Sequence, residues 1–185
     1  MITVGITGSL ASGKSTATRY LKKYYPVFNA DLAVKNLYKK KFFLKKIQKK
    51  FNIIHPANIK DKIKKIILKN KKSLRLLEKI IHPYVRLEMT NFIRKNKGKK
   101  MIILEIPLLV ESKLMKYFDV IIFISSNKKK RLSRYLKNGG KKSVFLALDK
   151  RQIKDKIKKK YCDYTIVNND TFALLNRKII NIIGK

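Results

Sequence analysis

A single cysteine, Cys162, excludes an intrachain disulfide and any cysteine-rich metal site, and it fits a reducing compartment. A lone cysteine is most often a small core residue. Tryptophan is absent. The aromatic residues are Tyr and Phe, and with 45% hydrophobic residues the chain reads as folded and globular. No apolar run is long enough for a membrane span. The longest are Met101–Val110, broken by Glu105, and Val120–Ile124, against about 20 residues required. Four prolines and seven glycines leave no flexible linker, and no internal repeat is visible. No leader is expected, since Ile2–Ile6 leads directly into a phosphate-loop motif. The expected location is cytoplasmic. A length of 185 residues suits one domain, or one core carrying insertions.

Acidic residues are also scarce, 11 Asp and Glu against 47 Lys and Arg, a formal net charge of +36. Such an excess usually points to nucleic acid or an anionic membrane. Here lysine dominates and is spread over Lys39–Lys41, Lys62–Lys65, Lys97–Lys100, Lys128–Lys130 and Lys156–Lys160, alongside abundant Ile and Asn. All three residue types come from A/T-rich codons, so the bias reads as mostly genomic, with the lysines on solvated helix faces. The expected consequence is a positive field that draws in anionic substrates and weakens with salt. Neither dedicated nucleic-acid binding nor membrane binding is expected, and the chain reads as a monomer or weak oligomer.

What is present starts at the eighth residue. Gly8-Ser9-Leu10-Ala11-Ser12-Gly13-Lys14-Ser15 matches G-x-x-x-x-G-K-S without a mismatch. A short buried strand, Ile2–Ile6, precedes it, and an amphipathic helix, Thr16–Tyr25, follows. Glycines let backbone N–H groups turn inward around a β-phosphate, and the helix N-terminus adds positive potential. Lys14 is placed to reach the β- and γ-phosphates, and the Ser15 hydroxyl to ligate Mg²⁺. The motif predicts binding of a nucleoside triphosphate.

Further along, Val27–Asp31 reads as a second short strand, and from Leu32 to about Lys100 no strand pattern appears. Lys-rich amphipathic stretches fill that span: Leu32–Lys50, Ile59–Lys69 and Ser73–Asn96. Asn52–Asn58, with Pro56, breaks the first from the second, and His82-Pro83 interrupts or starts a helix in the third. Strands return at Met101–Ile106, Val120–Ile124 and Tyr164–Asn168, with helices over Lys128–Lys137, Ser143–Lys160 and Phe172–Ile183. Continuous apolar strands alternating with helices predict an α/β fold, a parallel sheet covered on both faces. Ligands of such sheets sit at the carboxyl ends of the strands. Gly8, Asp31 and Pro107 all follow strands and are expected at one rim.

The ordered motifs resemble the dephospho-CoA kinase family over nearly the whole chain. They are Gly5-Ile6-Thr7-Gly8 through Ser15-Thr16, Asn29-Ala30-Asp31, Ile81-His82-Pro83 with Arg86, and Ile106-Pro107-Leu108-Leu109-Val110-Glu111. Asp119, Arg134, Gln152 and Asp163-Tyr164-Thr165-Ile166-Val167-Asn168 complete the set. The resemblance implies a three-layer P-loop core (1–31 and 101–185), a helical acceptor-binding insertion (32–100) and a small helical lid (about 127–155). It implies transfer of the γ-phosphoryl group of ATP, with Mg²⁺, to the 3′-hydroxyl of dephospho-CoA. Other small-molecule P-loop kinases, acting on nucleosides, nucleotides or shikimate, share the core but lack the Pro-Leu-Leu-x-Glu and His-Pro elements. A nucleic-acid-associated P-loop ATPase would carry further motifs that do not occur here.

The resemblance also implies roles. Residues Gly8, Ser9, Leu10, Ala11, Ser12, Gly13, Lys14, Ser15 and Thr16 would hold the nucleotide, with Asn168 near the adenine or serving as a turn residue. Asp31 would orient or deprotonate the acceptor hydroxyl, although a carboxylate there also caps a helix. His82 and Arg86 would line the acceptor site, together with Pro107 and Leu108. Glu111 either binds substrate or braces the turn after Pro107. Glu105 stands where P-loop proteins place an acid on magnesium-bound water, and is otherwise an ordinary charged residue near a sheet edge. Arg134 would be the lid arginine that meets the γ-phosphate. The family usually carries aspartate where this chain has Asn29, and a second arginine where it has Asn138. Lys137, Lys141 and Arg151 are candidates to stand in for the latter, and Gly139-Gly140 is either a lid hinge or a helix stop.

Overall fold

A computed structural model describes residues 1–54 and 58–184. Pro56, the breaker in the sequence reading, lies outside them. By contact the chain divides into two units, residues 1–29 with 96–185, and residues 30–95.

The first unit is built on five parallel strands: β1 (Ile2–Gly8), β2 (Val27–Asn29), β3 (Met101–Glu105), β4 (Val120–Ser125) and β5 (Tyr164–Val167). Their spatial order is β2-β3-β1-β4-β5, which puts β1 at the centre. Ile6 pairs with Glu105 on one side and Ile122 on the other, and Gly8 pairs with Ile124. Strands buried on both faces must be apolar throughout, which is why β3 and β4 read as unbroken hydrophobic runs. One face packs Val4, Ile6, Ile103 and Ile122 against Ala17 and Leu21 of helix α1 (Lys14–Leu21) and against Leu175 and Ile179 of the C-terminal helix. On the other face, Gly5 leaves room for Leu109 and Phe118, since an added Cβ would lie 2.9 Å from each.

The second unit is helical: α2 (Ala30–Leu37), α3 (Lys41–Phe51), α4 (Ile59–Lys69) and α5 (Lys71–Lys95). Leu37, Phe43, Ile47, Ile63, Leu77 and Ile80 form its core. Phe43 sits edge-on to Tyr38 at 5.2 Å and to Tyr84 at 5.8 Å. The first unit resumes after β4 with α6 (Lys128–Lys137), α7 (Lys142–Arg151) and α8 (Asp155–Lys158), and closes with α9 (Phe172–Ile183) after β5. Among the described residues, no helix is long and apolar enough to cross a membrane.

The parallel α/β sheet agrees with the sequence expectation, while several boundaries differ from it, among them α1, expected at Thr16–Tyr25 and found at Lys14–Leu21. Strand β2 stops at Asn29, so Asp31 lies in the first turn of α2. The stretch 32–50 is two helices, broken where Lys40 adopts an extended backbone, without a proline or glycine to announce it. Helix α5 instead runs through Pro83, because buried Leu77, Ile80 and Met89 hold the turns on either side. The stretch 143–160 ends its helix at Arg151, where Gln152 turns extended.

Candidate active site

The loop after β1 is shaped by three residues with positive φ. Gly8 (154°) closes on β4, where a Cβ would fall 2.1 Å from the Ile124 carbonyl oxygen. Gly13 (105°) caps α1, and a Cβ there would fall 2.2 Å from Asn168 Nδ2. Ala11, between them, has φ of 57°. Lys14 is buried and donates from Nζ to the carbonyls of Gly8 (3.0 Å) and Ser9 (2.8 Å), so its charge spans the loop. With its neighbour Ser15 it begins α1, so the positive end of that helix lies at the loop.

Glu105 ends β3 beside this loop and is 1% exposed. A carboxylate so buried needs donors on both oxygens. Ser15 Oγ donates to Oε1 at 2.7 Å; Thr18 Oγ1 (2.7 Å) and Asn29 Nδ2 (2.6 Å) donate to Oε2. Asn29 thus supplies a donor where an aspartate would set a second negative charge against Glu105. The Ser15 hydroxyl and the Glu105 carboxylate are hard oxygen donors of the type Mg²⁺ takes alongside phosphate and water. Among the described residues, no cluster of three or more His, Cys, Asp or Glu forms a self-sufficient metal site.

The loop opens into a cavity of ≈ 430 Å³ whose lining includes Lys14, Arg19, Arg134, Lys137, Asn168 and Phe172. That volume lies within the usual small-molecule range of roughly 300–1,000 Å³. Four cations around one opening favour a polyanion. Arg134 is fixed on its wall, donating to the carbonyls of Asn168 (3.1 Å) and Ser12 (3.5 Å) and to Ser126 Oγ (3.3 Å). Asn168 is buried; its backbone N–H donates to Ser125 and its Nδ2 to the Ser12 carbonyl at 2.8 Å. It therefore holds the loop as well as facing the cavity.

The segment after α7 grips the same loop from outside. Leu10 N–H donates to Gln152 Oε1 at 3.0 Å, and Ser9 Oγ donates to Asp155 Oδ1. Glu111 faces this segment too, 2.6 Å from Lys158 Nζ and accepting the Ile153 N–H at 3.2 Å. These are bracing contacts; Lys158 is fully buried, and Glu111 sets the opposite charge against it. Pro107 accepts a hydrogen bond from Thr7 Oγ1 at 3.1 Å, and Leu108 beside it is half-buried. Asp31 (exposed), His82 (half-buried) and Arg86 (exposed) belong to the helical unit, the last two one turn apart on α5. Thr18, Arg19, Asp155 and Phe172 escaped the sequence reading. Thr18 had a usable signal, a hydroxyl three residues after Ser15 on the same helix face.

A parallel sheet whose central strand delivers an intact phosphate loop into a cationic cavity defines a P-loop nucleotide-binding protein. Residues 2–173 match the family model for dephospho-CoA kinase, and the chain belongs to that family. The dephospho-CoA kinase of Bartonella quintana is 33% identical over 97% of this chain and 95% of its own length. The solved dephospho-CoA kinase of Campylobacter jejuni matches with a TM-score of 0.70 and 25% identity, covering 98% of this chain and 95% of that one. The Thermus thermophilus protein TT1252 shares the fold at a TM-score of 0.82 and 24% identity, covering 99% and 96%.

Proposed function

We propose that this chain is an ATP-dependent phosphotransferase that converts dephospho-CoA to coenzyme A. What supports the reading most is the family match over nearly the full chain joined to a loop geometry able to hold a triphosphate. In the transfer, the 3′-hydroxyl oxygen of the acceptor ribose bonds to the γ-phosphorus. The bond from that phosphorus to the β,γ-bridging oxygen breaks, and ADP leaves. The hydroxyl proton passes to Asp31. Phosphoryl transfer asks little covalent chemistry of the protein, so alignment, charge neutralisation and exclusion of water supply the rate.

The loop N–H groups and Lys14 hold the β- and γ-phosphates, and Arg134 meets charge developing on the γ-phosphoryl oxygens. Ser15 would hold Mg²⁺ directly and Glu105 would orient its water; the ion, when bound, neutralises phosphate charge. Phe172 and Asn168 flank the nucleoside end of the cavity. His82 and Arg86 of the helical unit receive the acceptor, a role the family resemblance also gives to Pro107, Leu108 and Glu111 of the first unit, and residues 127–155 act as the lid. It would work as a cytoplasmic enzyme, a monomer or weak oligomer without nucleic acid or membrane as partner, and its single cysteine suits a reducing compartment.

Incubation with Mg-ATP and dephospho-CoA should yield a product one phosphoryl group heavier, identified as coenzyme A by mass spectrometry and absent with Lys14→Ala. ATP consumption without that product would assign a different acceptor. Asp31→Asn should retain ADP binding by calorimetry yet lower kcat by roughly 10²–10⁴-fold; near-normal turnover would remove Asp31 as the base.

A further inference from the structure

Ala11 holds a backbone conformation that L-residues avoid, φ of 57°, at the middle of the phosphate loop. Such a residue persists only where its neighbours over-determine it. On its carboxyl side, Ser12 N–H donates to the Ser9 carbonyl at 3.1 Å, and the Ser12 carbonyl accepts from Asn168. On its amino side, both backbone groups of Leu10 are taken. The N–H donates to Gln152 Oε1 at 3.0 Å, and the carbonyl accepts from Arg131 Nη1 at 3.3 Å.

Arg131 is built for that contact. It is 7% exposed, an unusual burial for a cation in so basic a helix. Its Nε donates to the Ser126 carbonyl at 3.1 Å, its Nη1 lies 2.5 Å from Asp149 Oδ1, and its guanidinium stands 5.6 Å from the Phe145 ring centre. One planar fork thus ties the end of β4 and helix α7 to the phosphate loop, a geometry a lysine head cannot reproduce.

We propose that Arg131 and Gln152 are positioning residues of the nucleotide site: by fixing both backbone groups of Leu10 they keep Ala11 left-handed and the loop shaped for phosphate. Neither side chain lines the cavity, so both act through the loop backbone. Both also belong to the segment proposed as the lid, so the shape of the loop depends on that segment. The proposal rests on the loop being the nucleotide site, and not on the identity of the acceptor.

The test is ADP titration by calorimetry on the full chain carrying Arg131→Met or Gln152→Ala, each with and without Ala11→Gly. Each single variant should weaken ADP binding by about tenfold, the loss of one buried hydrogen bond to the loop. In steady state the KM for ATP should rise in step while the KM for dephospho-CoA holds. Adding Ala11→Gly should recover most of the lost affinity, because glycine takes positive φ without steric cost. If the two residues serve packing alone, folded Gln152→Ala binds ADP like the parent, which overturns the proposal. A weakened variant that Ala11→Gly fails to improve overturns it too. Gln152 is half-buried, so that pair carries the test should Arg131→Met fold poorly. Transfer to dephospho-CoA by the parent protein is scored separately, so a different acceptor leaves the ADP result intact.

Discussion

Single residues set the limits of this site. At Gly13 both backbone and space exclude a side chain, with φ of 105° and Asn168 Nδ2 where a Cβ would stand. Gly13→Ala should cost about 1–3 kcal/mol from backbone strain alone. It should lower the thermal midpoint and abolish detectable ADP binding by calorimetry; binding like the parent would show the loop able to shift away from Asn168. Cys162 gives a second prediction. Burial, with Asp163 beside it, pushes its thiol up to about 11. At pH 8 the reactive thiolate is then on the order of one part in a thousand. Iodoacetamide should label Cys162 slowly in the folded protein and readily in urea, as read by mass spectrometry. The glycine and lysine positions of the loop were legible because phosphate chemistry dictates backbone geometry as well as residue type. Arg131 was not: among 47 Lys and Arg, residue type carries no sign of which cation is buried. The acids Asp149 and Asp155, surviving in a stretch otherwise rich in lysine, were the available hint.

Elements show where local rules give way to burial. Pro83 removes an N–H donor from α5 and crowds the preceding turn, yet the helix continues because both flanks are anchored in the helical core. Pro83→Ala should therefore stabilise the protein, by up to about 3 kcal/mol, with a higher thermal midpoint. An unchanged or lower midpoint would mean that the proline ring's own packing matters more than the lost bond. The break at Lys40 is the converse case, since the sequence there suits a helix and the backbone nonetheless turns extended. Strand β4 is tied to β1 by Asp119, whose Oδ2 accepts from the Thr3 backbone N–H (2.7 Å) and hydroxyl (2.6 Å). Those two donors hold its carboxyl below the usual carboxylate range. A carboxyl more acidic when folded than unfolded contributes stability above its unfolded value near 4, and loses it as pH falls through the folded value. Asp119→Asn should flatten the acid limb of a stability–pH curve and leave its shape near neutrality unchanged. An acid limb identical to the parent's would refute the coupling.

For the whole molecule, the fold class was legible because buried parallel strands leave continuous apolar runs, as in Met101–Leu104 and Val120–Ile124. The placement of the cations was not, since +36 is a sum without geometry. Their field should nonetheless be measurable. The KM for ATP should rise between low salt and about 0.5 M, as the Debye length contracts from tens of ångströms to a few. A flat salt dependence would confine the relevant charges to the buried cations at the loop.

The central position of β1 has a further consequence, for synthesis. Its two neighbours, β3 and β4, begin only at Met101 and Val120, so of the five strands β1 waits longest for its partners. The cluster of Leu37, Phe43, Ile47, Ile63, Leu77 and Ile80 lies wholly within residues 30–95, so that stretch is able to condense while the strand that carries the phosphate loop still waits. A ribosome-bound chain stopped before Ser125 should therefore contain a folded helical unit and no nucleotide site, the phosphate loop having been made well ahead of the strands that must flank it.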